Sequence, residues 1–584
     1  MSFRLRAMAA GLVVLGTGLP AGAQIESSGL RDVSAWGVSF LNRGEADFGQ
    51  GLWTGSDLDY LLALMDGIDV SALSQAERQL LSRALRAPSA APESDLTDAF
   101  LEARAQLLLA LGERRAAATL ADQGGLELDN VNPDILLSDE RLIRGEREVV
   151  CAQMNTSGEG RFWSELRALC ALEEGRDADA ELAIEIAGQQ PDAEPWFTNV
   201  AFAVLADQDE RPSARYGSGI QIALSDLAEL DPDEDSLSET RPDIAAGIAS
   251  DDSQPLGLRL DAAWIAARAG MISPELHREL YRVLISREDF APQTPVEAAF
   301  IVLAKAPEPE DPFAGVMSRR NGPVDLRSRN EDWIEPVRPG ELDDDALEAD
   351  PVDEISLAEE QALAVHDALR AAESRADFVA RARLFEMALE DIPARDDTAG
   401  AAMAFAVAAM ETGNIALTDK WLDVVGDANL DDAGEFRFAL LEGYATVFGG
   451  ERRDIAPSEF VSALLEYGVE PGERAAALKL FSVWAGFDMP VPANARAALA
   501  TSEFTAREIG SGMLTSIKTA ERNGAVGEAV LGMISQTSGD SETLSGSELS
   551  TILWTLGEMG ALADAKALTL EASGLWRLAG DDES

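Results

Sequence analysis

Cys151 and Cys170 are the only cysteines in the 584-residue chain, and their spacing limits what they can do. In an exported protein an even pair reads first as a disulfide. Closing a loop of about 20 residues would add ~3 kcal/mol by restricting the unfolded chain. Two buried free thiols are the alternative. A two-cysteine metal site needs histidines close by, and the chain's two, His277 and His366, are far off in sequence. The sequence therefore points to no metal and no cofactor.

Other chemistry is harder to place. Two histidines cannot supply a His-Glu-x-x-His zinc motif. Gly217-Ser218-Gly219 and Gly510-Ser511-Gly512 lack the glycine two residues before the serine that a nucleophile elbow requires. Neither a phosphate-binding loop nor a dinucleotide fingerprint occurs. Asp231-Pro-Asp233-Glu-Asp235 imitates the start of an EF-hand, but Ser236 replaces the turn glycine and Pro242 stands where a bidentate glutamate is needed. Glycoside hydrolysis needs only two suitably spaced carboxylates, and 104 Asp and Glu make any chosen pair uninformative. Sugar-cleaving clefts are commonly lined with aromatic residues, whereas this chain has five tyrosines. Trp163, Trp264, Trp421, Trp484 and Trp554 mostly fall on apolar helix faces, as core residues do. No catalytic residue is assigned.

The elements that would position any site are helical. Leu58, Leu61, Leu62 and Met65 keep the i, i+3, i+4, i+7 spacing, as do Leu260, Ala263, Trp264 and Ala267, and Ala477, Leu480, Phe481 and Trp484. Ser74-x-x-Glu77 and Ser356-x-x-Glu359 read as capping boxes, and Ser273-Pro274 and Thr294-Pro295 put proline at the first helical position. Helices recur in pairs around a small turn: Leu107 to Ala116 through Gly112, Leu169 to Ala178 through Gly175, Ala409 to Ala416 through Gly413, and Leu556 to Ala563 through Gly560. These resemble the inner turn of tetratricopeptide hairpins, but their spacing is uneven and the full consensus is missing. The expected fold is all-α, with degenerate TPR-like hairpins stacked as an α-solenoid.

Residues 306–356 interrupt this pattern with seven prolines, fifteen acids and five basic residues. Such a segment stops helices and discourages collapse. It reads as an acidic linker, with Trp333-Ile334 as its apolar anchor. The linker divides an N-terminal helical-repeat region (24–305) from a C-terminal one (357–580), expected to be independently stable halves. Residues 581–584 form a tail.

Arg4 and Arg6 precede an apolar stretch from Ala7 to Pro20, and Ala21-Gly22-Ala23 offers the small-x-small cleavage pattern. Residues 1–23 read as a signal peptide cleaved after Ala23, which places the protein in the periplasm without membrane insertion. Losing Arg4 and Arg6 takes the net charge from −57 to −59. That charge repels nucleic acid and anionic lipid, leaving cations and basic proteins as compatible partners. Only five of the 47 basic residues are lysine (Lys305, Lys420, Lys479, Lys518 and Lys566).

The segment Phe100 to Gly112, then Cys151, then Trp163-Ser-Glu-Leu-Arg-Ala-Leu-Cys170-Ala-Leu resembles a family of exported, helical alphaproteobacterial proteins, often labelled antifreeze-like polyproteins. Leu52-Trp53-Thr-Gly-Ser56 looks like the same family, and the likeness covers about residues 50–205. It implies an exported helical protein, and its Cys…Trp-x6-Cys spacing supports the disulfide. It brings no activity, cofactor or substrate. An antifreeze role does not follow, because ice-binding faces are flat and regular in Thr or Ala whereas this surface is densely acidic. The reading that results is a non-enzymatic periplasmic scaffold or adaptor with a protein partner. The alternatives are a peptidoglycan- or polysaccharide-active enzyme on an all-α toroid and a motility-associated periplasmic protein.

Overall fold

The computed structural model describes residues 35–580 except 46–47, 50, 93, 125–131, 155–156, 209, 234–235, 239, 306–355, 451–455 and 502–510. The segments expected to be a signal peptide (1–23), a linker (up to residue 355) and a tail (581–584) lie outside the described residues. Among the described residues there are 26 α-helices and no strand.

The hairpins form where expected: α3 (Thr97–Ala110) with α4 (Arg114–Gly124), α7 (Arg161–Glu173) with α8 (Asp177–Gly188), α17 (Ala399–Glu411) with α18 (Ile415–Asp427), and α25 (Gly546–Glu558) with α26 (Leu562–Ser573). One turn geometry serves all four. Gly112, Gly175, Gly413 and Gly560 take left-handed φ values of 86°, 65°, 79° and 75°. The next residue donates its N–H to the carbonyl five residues back, from Glu113 to Leu108, Arg176 to Ala171, Asn414 to Ala409 and Ala561 to Leu556, at 2.8–2.9 Å. This satisfies carbonyls that a helix end leaves open. The same bond recurs after Asp207, Glu229 and Asp488, which hold positive φ without being glycine. What repeats is therefore the turn geometry rather than a residue consensus, which accounts for the uneven spacing of the glycines.

Start signals are met with one exception. Ser74 and Glu77 form a reciprocal capping box, as do Thr294 and Glu297. Ser356 accepts from the Glu359 N–H, but its own hydroxyl donates to Asp397 and the returning bond is not formed. The tryptophans divide: Trp163, Trp421 and Trp484 are buried, whereas Trp264 and Trp554 are half-buried.

The helices on either side of residues 306–355, α14 (Pro295–Leu303) and α15 (Leu357–Arg370), pack directly on each other. The two regions share one core. An aromatic series runs Trp264, His277, Tyr281, Phe300 and on to Phe385 in α16 (Arg375–Asp391), with centroid spacings of 4.7 to 5.5 Å. Arg278 donates to the carbonyls of Arg383 and Leu384, and Arg268 pairs with Asp377 at 3.1 Å. The two regions expected to be independently stable are thus joined by an apolar and hydrogen-bonded seam.

The chain also returns to its start. Helices α24 (Val526–Thr537) and α26 pack on α1 (Leu58–Asp66) and α2 (Gln75–Arg86), and the last 3-10 turn, Leu575–Ala579, packs on α17. Gly527 donates its N–H to the Leu52 carbonyl at 2.7 Å, and a Cβ there would lie 2.3 Å from the Trp53 ring. Gly539 donates to Glu77 at 2.8 Å. It has φ +83°, and a Cβ would lie 1.9 Å from the Ala72 carbonyl oxygen. Only glycine permits either approach.

One lobe stands apart from this main core. Residues from Leu142 to Ala228 bury a second cluster around Trp163, Leu166, Cys170, Phe197 and Val200. Its stem is α5 (Pro133–Ile143), held by Arg114 between Asp139 at 2.7 Å and Asp243 at 2.8 Å. Burial opposes the charge on Arg114, yet the two carboxylates hold its pKa above the usual value.

Candidate interaction surface

Cys151 lies in the last turn of α6 (Arg147–Ala152) and Cys170 in α7, and they form a disulfide with Cα atoms 5.4 Å apart. Cys170 and Trp163, two turns apart on α7, both face the lobe core. The bond thus ties the short α6 to the hairpin that carries α8.

This lobe also concentrates the apolar surface. Five of the eleven exposed large apolar side chains among the described residues are Leu137, Val149, Leu182, Ile186 and Phe202. Leu182 is 58% exposed and Ile186 41%. The reason lies in the sequence of α8, Asp-Ala-Asp-Ala-Glu-Leu-Ala-Ile-Glu-Ile-Ala-Gly. Ala180, Ile184 and Ala187 occupy its buried face, so a second set of apolar residues has to point outward.

Beside it, Glu194 acts as a hub. One carboxylate oxygen accepts from Arg161 at 2.7 Å and the other from Arg215 at 2.7 Å, and the Gln221 amide reaches both at 3.0 Å. Glu194, Arg215 and Gln221 border a cleft of about 610 Å³ with Trp196, Tyr216 and Thr240. The aromatic rings there are buried, and the Trp196 indole donates to the Ser213 carbonyl. Burial, with Asp226 and Asp231 adding to it, pushes the Tyr216 phenol up to about 12. A carboxylate engaged by two guanidiniums and an amide is suited to rigidity rather than to proton transfer.

A second polar centre sits where the chain closes. Arg375 donates to Glu411 at 2.6 Å and 3.4 Å and to Glu571 at 3.1 Å, and Glu571 also accepts from the Ala76 N–H at 2.8 Å. Three stretches therefore meet at one guanidinium, and a fourth joins them through Glu571. Burial pushes the Glu411 and Glu571 carboxyls up, with Arg375 offsetting part of the effect. Burial likewise opposes the Arg375 charge, but Glu411 and Glu571 keep its pKa raised. The adjoining cavity of about 370 Å³ is lined by Arg78, Arg268, Arg375, Asp540, Glu542 and Glu571 among others. Among its lining groups, Arg268, Arg375, Glu542 and Glu571 are already engaged in ion pairs with other elements.

The remaining sequence candidates take structural places. Ser218 is the N-cap of α10 (Gly219–Leu227), accepting from the Gln221 N–H. Asp231 and Asp233 are exposed, and the rest of that acidic turn, 234–235, lies outside the described residues. His277 is buried, 4.7 Å from Trp264 between ring centroids, and burial together with Arg278 lowers it to about 4. His366 is buried in α15. No group of three or more potential metal ligands occurs among the described residues, and no helix among them is long and apolar enough to cross a membrane. Periodicity alone missed Leu182 and Ile186. Counting two apolar rows on α8, where one would suffice for the core, could have found them.

Among known proteins, no family model matches the chain, and no curated protein and no solved structure matches it.

Proposed function

We propose that the protein is an exported, non-enzymatic helical-repeat scaffold that binds another protein in the periplasm through its disulfide-braced lobe. The observation that carries this reading is the placement of the exposed large apolar side chains: among the described residues, five of eleven fall between residues 137 and 202. Exposed apolar groups gathered on one part of a surface mark an interaction site, whereas scattered ones need no explanation. Two features support export: the basic, apolar and small-x-small start of the chain, and a disulfide, a bond that persists in oxidising compartments. The resemblance of residues 50–205 to exported helical proteins points the same way. Because the first and last hairpins pack on each other, the lobe offers a partner more than an open solenoid end does.

The test combines processing with contact mapping in cells. The full chain should be recovered with an intact mass beginning at Gln24. Photo-crosslinking residues placed singly over the surface should give a discrete protein adduct from lobe positions. A retained N-terminus on a cytoplasmic protein would overturn the location. Crosslinks absent from every position would overturn the binding role, and release of soluble fragments from peptidoglycan or polysaccharide would identify an enzyme instead.

A further inference from the structure

Helix α8 carries two parallel rows on its exposed side. Ala178, Leu182 and Ile186 follow one another at four-residue steps, so they form an apolar stripe along the helix. Asp177, Glu181 and Glu185 follow at the same steps, one position earlier, and form a carboxylate row about 100° around the axis. All six residues are exposed, and among the described residues the three acids make no ion pair. Asp179, on the same helix, pairs with Arg176. The core face of α8 is separately filled by Ala180, Ile184 and Ala187, so the stripe is surplus to folding.

We infer that α8 is the docking site for an amphipathic helix of a partner protein, one whose apolar row is edged by lysine or arginine. An apolar row at i, i+4, i+8 is matched by a helix laying its own apolar row alongside. The neighbouring carboxylates require a cation on the partner's flank, since an acidic or uncharged flank would leave them desolvated without compensation. Charge also decides against a second copy of this chain: at net −57, self-association brings like surfaces together. The inference rests on the proposed protein-binding role and names the surface and the partner's chemistry.

The test uses the full exported chain and three synthetic peptides, followed by fluorescence anisotropy at low and high salt. One is a Leu/Lys peptide with helical amphipathic period, one is a scramble of identical composition, and one is the Leu/Glu counterpart. The amphipathic Leu/Lys peptide should bind about tenfold or more tighter than the scramble, the order expected from burying two aliphatic side chains, and the Leu/Glu peptide should not bind. Leu182→Ser with Ile186→Ser leaves the charge unchanged and should abolish the preference over the scramble. Glu181→Gln with Glu185→Gln should weaken binding at low salt and flatten its salt dependence. Both pairs are exposed, and unchanged thermal melts will show that the fold is intact. Equal binding of the amphipathic and scrambled peptides overturns the inference, as does a Leu182/Ile186 variant that binds like the parent. A concentration-dependent dimer lost in that variant would assign the stripe to a second copy and also overturn it. Crosslinks in cells from other positions but none from Ile186 would sink this site while leaving the protein-binding role standing.

Discussion

Arg375→Met tests whether the closed architecture depends on one guanidinium. Arg375 opens α16, while Glu411 ends α17 and Glu571 lies in the last turn of α26. Each charge sits at the helix end that its macrodipole disfavours, so the three stabilise one another and no helix does so alone. The Glu411 side chain is fully buried and that of Glu571 is 5% exposed. Removing the arginine leaves two buried carboxylates uncompensated, which costs roughly 3–5 kcal/mol for breaking a buried pair. The deficit should depend on pH. The pKa of both carboxyls is already raised in the folded chain by burial, and loss of Arg375 raises it further. A raised carboxyl pKa means that the native state holds protons which the unfolded state has released. Stability therefore falls as pH climbs above the unfolded value and returns as pH drops back toward it. Urea titrations followed by far-UV circular dichroism should show the variant most impaired at about pH 7.5 and partly recovered near about pH 5. Adding Glu411→Gln and Glu571→Gln should restore part of the loss at neutral pH. A deficit below about 1 kcal/mol, or one equal at both pH values, would refute the reasoning, because Glu411 and Glu571 would then be satisfied without Arg375.

Three further outcomes are expected. His277, lowered to about 4 by burial and Arg278, stays neutral in the folded chain while the unfolded chain takes up a proton below about pH 6.5. Its contribution is present above that value and lost as pH falls toward 4, so the parent should lose roughly 2 kcal/mol relative to His277→Leu between about pH 7.5 and pH 5 in paired denaturation curves; parallel curves would contradict this. Gly413→Ala meets nothing within 4 Å and should cost only the left-handed strain of about 1–2 kcal/mol, whereas Gly539→Ala adds a clash with the Ala72 carbonyl and should lower the thermal midpoint further; equal losses would remove the role given to the closure. A protease site inserted between residues 306 and 355, once cut, should leave two fragments that co-elute on size exclusion and melt together, because α14 packs on α15 and Phe300 on Phe385; separate elution would restore two independent halves.

Helical period, caps and turn glycines are local properties, so the sequence alone determined the all-α class and the hairpins at Gly112, Gly175, Gly413 and Gly560. It also determined the first reading of Cys151 and Cys170, because a short loop between two thiols leaves few geometries. The limits of local reading show at Ser356, whose hydroxyl turns to Asp397, 41 residues away. They show again at Trp264, which the pattern placed in the core and the fold leaves half-buried. Only the tertiary structure decided that the first and last helices meet. That contact joins residues 495 apart through Ala76 and Glu571, and nothing in either segment's periodicity encodes the other. It likewise decided that the regions flanking 306–355 share a core, since an aromatic series from Trp264 to Phe385 depends on how helices cross rather than on how they form. Leu182 and Ile186 fall between the two levels. The sequence of α8 holds more apolar residues than one face can bury, but which row is left outside depends on which face packing against α7 and α9 (Pro195–Leu205) covers.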